Sequence, residues 1–161
     1  MINGTFTEIL LVILAAILVF AAAVDVRTFT ISNRLNLTVA LLAPVYWLSI
    51  ALPLWPGVAL HLAVAAGVFA LLAVAFYAGM MGGGDVKLAA ALALWFTPAG
   101  TVKFLVLMSL AGGVLTLGLV AWHRAKRREG RPQVPYGVAI AVGGLAILAP
   151  ILTQRFLNQF A

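Results

Sequence analysis

The sequence predicts an all-α, polytopic membrane protein with about six transmembrane helices. Hydrophobic residues make up 65% of the 161 positions and charged residues only 9%, which is too few to cover the surface of a soluble domain of this size. The apolar runs reach the roughly 20 residues that a helix needs to span a bilayer. They are continuous and rich in Leu and Ala, whereas the strands of a membrane β-barrel alternate between apolar and polar residues. We therefore expect one transmembrane domain that covers residues 1–161.

Breaks in the apolar pattern separate the predicted spans. The second span ends at the uncharged turn Pro53–Pro56, the third at the glycines of residues 82–84, and the fourth at Pro98. The fourth segment has about 12 residues, or roughly 18 Å of helix, which is short for a span. The predicted spans are about 6–24, 35–52, 57–77, 86–97, 102–122 and 135–152.

The first span resembles a secretory signal peptide, because Ala21–Ala23 looks like a cleavage site. Residues 1–8 contain no Lys or Arg, which a signal peptide normally carries there, so we expect the span to be retained. A short polar connector that starts at Asp25 follows it. Ser32 or Asn33 in this connector is expected to cap the second helix.

The basic residues predict the orientation of the protein in the membrane. Cytoplasmic connectors carry an excess of Lys and Arg, so we expect the connectors after spans one, three and five to be cytoplasmic and both termini to be periplasmic. Asp25 and Asp85 then lie on the same side. If the fourth segment did not cross, the loop at Arg124 would move outside, which the charge rule disfavours. The cytoplasmic set is Arg27, Arg34, Lys87, Arg124, Lys126, Arg127, Arg128 and Arg131, against Lys103 and Arg155 on the opposite side.

Two acids carry the chemistry that the sequence suggests. Asp25 ends the first apolar run, and Asp85 follows three glycines between two other runs. A charged Asp at membrane depth is expensive, so both residues are functional candidates. The glycines remove side-chain bulk and allow another group to come close to Asp85. Two carboxylates at short range share one proton, and such a pair can activate water and protonate the departing nitrogen of an amide.

Other interpretations of the two acids remain open at this point. Asp25 could simply end a helix beside Arg27, and Asp85 could cap the fourth helix, because carboxylates favour helix N-termini. Paired acids also occur in transporters and proton-conducting proteins. A non-catalytic subunit of a larger membrane assembly is a further alternative.

Cofactors and nucleic acid are not expected. The chain has no Cys, and His61 and His123 lie in different segments, so we predict no metal site and no cofactor. The net charge of +6 lies mostly in one loop between two spans. It therefore indicates topology and attraction to anionic lipid, with no nucleic-acid partner.

Three motifs resemble those of one protein family. Gly82–Asp85 matches the G-x-G-D signature shared by the type IV prepilin peptidases and the presenilin-type intramembrane aspartyl proteases, and the match extends to Val86–Leu88. Asp25–Asn33 resembles the first-aspartate motif of the prepilin peptidases, with Ser32 in place of a proline. Pro135–Gly137 is similar to the Pro-Tyr-Gly stretch of the short members that serve tight-adherence (Flp) pili.

The resemblance implies an intramembrane aspartic endopeptidase that cleaves the leader of Flp-type prepilins at the cytoplasmic face of the bacterial inner membrane. Its implied partners are prepilins and pseudopilins, inner-membrane lipid and the pilus-assembly machinery. Without the cysteine-bearing region of longer members, we expect neither zinc nor methyl transfer. The implied residues are Asp25 and Asp85 as the catalytic pair, Gly82 and Gly84 as sites of close approach for Asp25 or substrate backbone, Lys87 as an interface marker or substrate contact, and Pro135, Tyr136 and Gly137 as substrate-site lining.

Overall fold

The computed structural model describes residues 2–126 and 133–159, and this part of the chain is helical apart from short connections. The all-α class is therefore confirmed. The part of the predicted basic loop from Arg127 to Arg131 lies outside the described residues. The helices are α1 (Ile2–Thr28), α2 (Asn33–Ser49), α3 (Ala59–Tyr77), α4 (Gly83–Ala93), α5 (Pro98–Ala125) and α6 (Tyr136–Gln159), with a bent turn at Leu54–Val58 before α3.

Four stretches of the described chain are long and apolar enough to cross a membrane: Gly4–Thr28, Leu54–Tyr77, Pro98–Ala125 and Tyr136–Leu157. They contain α1, α3, α5 and α6. The other two helices are shorter, because α2 has 17 residues and α4 has 11. At 1.5 Å per residue, α4 is only about 16 Å long. The count of six spans and the periplasmic position of both termini stay predictions.

The C-terminal end of α1 differs from the sequence-based expectation, because Asp25 lies inside the helix and not in the connector that follows it. The N–H of Phe29 donates to the carbonyl of Asp25 at 2.8 Å, and the hydroxyl of Thr28 donates to the carbonyl of Val24 at 3.0 Å. The backbone bond of Phe29 closes one more helical turn beyond the apolar run, and the Thr28 side chain binds that last turn. The hydroxyl of Ser32 then accepts from the N–H of Leu35 at 3.3 Å, so the predicted cap of α2 is confirmed.

Each helix runs antiparallel to the one before it. At one end of the bundle, the hydroxyl of Thr7 near the start of α1 donates to that of Ser49 at the end of α2 at 3.0 Å, and the indole of Trp47 donates to the carbonyl of Leu94 at 2.8 Å. At the other end, the end of α1 meets the start of α6, and the start of α2 meets the start of α4. Asp25 and Asp85 both lie at this second end, which we call the site end.

Close packing of α1 and α5 on α6 forms the centre of the bundle. Leu14 and Leu18 of α1 are fully buried. A Cβ at Gly144 of α6 would lie 2.8 Å from Leu18, and one at Gly143 would lie 3.0 Å from the backbone nitrogen of Met108. Glycine at these two positions lets the helix backbones approach closely, as in other membrane bundles. This packing fixes the start of α6 beside the end of α1.

Candidate active site

Asp25 is held by the first turn of α6. Only 2% of the residue is exposed, although a carboxylate normally requires solvent or strong hydrogen bonds. The backbone N–H of Gly137 donates to its Oδ2 at 2.7 Å, and Val138 provides a second backbone interaction. Because the N-terminus of a helix carries partial positive charge, the start of α6 is a favourable place for a carboxylate.

Asp85 is buried at the start of α4, outside the four candidate spans, with 9% of the residue exposed. Its Oδ2 accepts a bond of 3.2 Å from the backbone N–H of Gly82, in the reciprocal position of a capping box. Its Oδ1 is buried and has no hydrogen-bond partner among the residues that the structure describes. A buried carboxylate oxygen without a partner is costly in a site built only for stability, so this oxygen is available to a bound molecule.

The two carboxyl groups interact electrostatically. Burial, followed by the nearby charge of Asp25, raises the pKa of Asp85 to about 6, while the hydrogen bond from Gly82 lowers it. A like charge close to a carboxylate favours its protonated form, which is the behaviour expected of two acids that share a proton. Asp85 is therefore the member of the pair that keeps a proton more readily near neutral pH.

Ile31 lies against two glycines, one near each acid. A Cβ at Gly84 would lie 2.6 Å from the carbonyl oxygen of Ile31, and one at Gly137 would lie 2.8 Å from the Cδ1 of the same residue. The connector between α1 and α2 thus packs against the backbone beside both carboxylates. The sequence argument expected Asp25 or a substrate backbone to approach Gly84, whereas the group that lies against it is Ile31.

Two contacts connect α2 to the glycine turn. The buried side chain of Asn36 donates from Nδ2 to the carbonyl of Gly84 at 2.9 Å. On the exposed surface, Nζ of Lys87 donates to Oδ1 of Asn33 at 2.9 Å. Lys87 therefore supports the α2–α4 junction. Within the described residues, no group of three His, Cys, Asp or Glu side chains is placed to hold a metal ion.

A family model described as the type IV leader peptidase family matches residues 12–117, which is 106 of the 161 residues. The chain belongs to the type IV leader peptidase family. The matched stretch includes Asp25, the glycine turn and Asp85, and it ends before Tyr136 and Gly137. No curated protein and no solved structure gives a match.

Membership in the type IV leader peptidase family makes the protein a protease with prepilins as its substrate class. Together with the four apolar helices, it also indicates a multi-pass membrane protein. The transporter interpretation of the paired acids loses its main support, because a peptidase family accounts for their position without it.

Sequence reasoning missed two residues of the site and gave a third a different role. Ile31 and Asn36 carry no chemical signal of their own, and only the packing of α2 against α4 brings them to Gly84. Gly137 was expected to line a substrate site, and the structure shows its N–H bound to Asp25. An apolar helix that opens with Pro-Tyr-Gly offers free N–H groups in its first turn, and this was the available signal.

Proposed function

We propose that the protein is an aspartic endopeptidase of the bacterial inner membrane that removes the leader peptide of Flp-type prepilins at the cytoplasmic face. One observation carries the proposal. Asp25 and Asp85, sixty positions apart in the sequence, are both buried at the same end of the bundle and interact electrostatically. A fold that only needed stability would gain nothing from burying two carboxylates within range of each other.

The surroundings of the acids suggest a division of roles. Asp25, whose Oδ2 accepts a hydrogen bond from the N–H of Gly137, is positioned to take a proton from the attacking water. Asp85, with its raised pKa and an Oδ1 that no described residue binds, is suited to carry the shared proton and deliver it to the scissile amide. Water adds to the carbonyl carbon, and the C–N bond then breaks as the nitrogen receives the proton and leaves as an amine.

The charge distribution supports cleavage on the cytoplasmic side. Among the described residues, five basic side chains lie at the site end of the bundle, and Lys103 and Arg155 lie toward the opposite end. This asymmetry is typical of a cytoplasmic site end. A prepilin with a cytoplasmic leader and an apolar helix in the membrane would present its junction at that level. The five are Arg27, Arg34, Lys87, Arg124 and Lys126.

The Flp-type assignment follows from the third motif and the lack of cysteine. Pro135–Gly137 resembles the corresponding stretch of the short Flp-type members. Longer members have a cysteine-bearing region, whereas this chain contains no Cys. The structure adds a physical reason for the motif, because glycine at position 137 is the residue that allows the start of α6 to contact Asp25.

The proposal is tested with purified protein in liposomes and a Flp-type prepilin as substrate. We expect mass spectrometry to find one cut, at the junction of the basic leader and the apolar helix, and no methyl group on the new N-terminus when S-adenosylmethionine is supplied. A prepilin that stays intact, while a known leader peptidase cleaves it in the same liposomes, would contradict the proposed function.

A further inference from the structure

An apolar groove of about 440 Å³ lies between α3 and α5. These two helices pack mainly on other partners, α3 on α4 and α5 on α6, so they leave a gap between them. Leu72 and Ala75 form the wall on α3, and the residues from Met108 to Leu117 form the wall on α5. The wall on α5 is about 14 Å long at 1.5 Å per residue, or roughly two and a half helical turns.

The groove ends next to the backbone turns that bind the two carboxylates. Met80, Met81 and Tyr136 close it at the site end. Met81 directly precedes Gly82, whose N–H binds Asp85, and Tyr136 directly precedes Gly137, whose N–H binds Asp25. A chain segment that left the groove at this end would therefore pass between the two backbone turns that hold the acids.

The walls suit an apolar helix of variable sequence. Methionine side chains are flexible and fill irregular spaces, and they occur here at positions 80, 81 and 108. The exposed Gly113 leaves the face of α5 without side-chain bulk at this point, which allows another helix backbone to approach closely. The hydroxyl of Thr116 is already bound to the carbonyl of Gly112 at 2.7 Å, so it adds little polarity to the wall.

We propose that this groove binds the apolar helix of the prepilin substrate and delivers the leader junction to Asp25 and Asp85. The inference rests on the proposed function and adds the docking site to it. The substrate helix is favoured over other occupants because the groove is continuous with the turns at both acids. A lipid acyl chain or a helix of a second copy would fit the walls but would have no reason to end at that position.

Two glycines of α5 offer a matched test. Gly113 lines the groove and Gly118 does not, although both are exposed and an added Cβ at either position would meet no atom of the described residues within 4 Å. Gly113→Phe has space for its Cβ, and its ring is expected to occupy the groove. We expect it to raise KM for the full prepilin about tenfold or more, with kcat within about twofold of wild type, since only packing of the apolar helix is lost. Gly118→Phe is expected to match wild type.

A short peptide that contains the leader junction without the apolar helix separates binding from chemistry. The Gly113→Phe protein is expected to cleave it as well as wild type does. An unchanged KM for the full prepilin, or an equal loss on the short peptide, would overturn the docking site. Failure of the wild-type protein to cleave the prepilin would overturn the proposed function itself, which is a different result.

Crosslinking identifies the occupant. The chain contains no Cys, so Gly113→Cys provides a single thiol, and Gly118→Cys provides its control. With a prepilin that carries one Cys in its apolar helix, and with Asp85→Asn to slow cleavage, we expect a disulfide to Gly113→Cys and none to Gly118→Cys. A crosslink between two copies of the protease would assign the groove to self-association. The absence of any prepilin crosslink would show that the substrate helix does not occupy the groove, and either result overturns the inference.

Discussion

The backbone N–H of Gly137 donates a 2.7 Å hydrogen bond to Oδ2 of Asp25, across a separation of 112 residues in the sequence. This bond connects the start of the last helix to an acid at the end of the first. It also explains the glycine, because a Cβ at position 137 would lie 2.8 Å from the carboxylate oxygen and 2.9 Å from the Cβ of Asp25. The position and charge of Asp25 therefore depend on a residue outside the stretch that matches the family.

Gly137→Ala is expected to lower kcat/KM for prepilin cleavage by about a hundredfold or more, because a shift of about 1 Å in a reacting group has an effect of that size. The new methyl group clashes with both the side chain of Asp25 and that of Ile31, so both must shift. Gly118→Ala is the control, since an added Cβ there meets no atom within 4 Å in the part of the chain that the structure describes. Cleavage by Gly137→Ala at the wild-type rate would show that the contact with Asp25 has no part in the reaction.

The glycine turn contains its own internal control. Gly84→Ala places a Cβ 2.6 Å from the backbone carbonyl oxygen of Ile31, and backbone cannot move aside as a side chain can. We expect a loss of about 1–3 kcal/mol in stability together with loss of cleavage. Among the described residues, an added Cβ at Gly83 meets only the ring of Phe76, at 3.4 Å. Gly83→Ala is therefore expected to keep the stability and the cleavage activity of wild type. Thermal unfolding in detergent and a cleavage assay compare them, and equal behaviour of the two variants would contradict the role of Ile31.

The two contacts between α2 and α4 should differ in importance. Asn36→Ala removes a buried hydrogen bond to the carbonyl of Gly84, so we expect it to lower the free energy of unfolding by about 1–2 kcal/mol and to reduce cleavage. Lys87→Ala removes an exposed contact with Asn33 and should change stability by less than about 0.5 kcal/mol. If Lys87→Ala raised KM while leaving the free energy of unfolding unchanged, that result would instead support a substrate-binding role for Lys87.

The pKa of Asp85 predicts how stability changes with pH. Burial and the charge of Asp25 raise this pKa to about 6 in the folded protein, above the value of about 3.9 for an unperturbed Asp. Asp85 therefore binds its proton more tightly in the folded state than in the unfolded state. Its contribution to the free energy of unfolding is fully present below about pH 4 and is lost as pH rises through about 6. Asn at position 85 does not titrate, so above pH 7 the free energy of unfolding of Asp85→Asn should exceed that of wild type by up to about 3 kcal/mol. Tm is measured for both proteins from pH 4 to pH 8. A constant difference in Tm between Asp85→Asn and wild type over this range would contradict the raised pKa of Asp85.

Much of the fold was predictable because a membrane leaves few alternatives. Apolar runs broken by proline and glycine predict helices, and the hydroxyl of Ser32 caps α2 as its position suggested. The end of α1 was misplaced because polar residues after an apolar run look like a connector, whereas Thr28 and Phe29 continue the helical hydrogen bonding. Hydropathy marks the edge of the apolar run and does not mark the end of the helix.

The site was predictable only in part, and the reason is physical. Asp25 and Asp85 stand out because charged residues are rare in such segments, and the basic residues indicate that they share a side. The contacts of Ile31 with Gly84 and Gly137 depend on how three helix ends pack together, and sequence spacing does not encode that packing. The groove between α3 and α5 likewise arises from the choice of packing partners, which a list of spans does not contain.

The central claim is that Asp25 and Asp85 together carry out the cleavage, and its most direct test is the rate of prepilin cleavage by Asp25→Asn and Asp85→Asn. Asparagine keeps the size of the side chain and a hydrogen-bond acceptor but can neither take nor deliver the proton. Both variants should insert into the membrane and fold, and each should cleave a Flp-type prepilin at least about a thousandfold more slowly than wild type, since the two acids act as one unit. Cleavage by either variant at the wild-type rate would contradict the account.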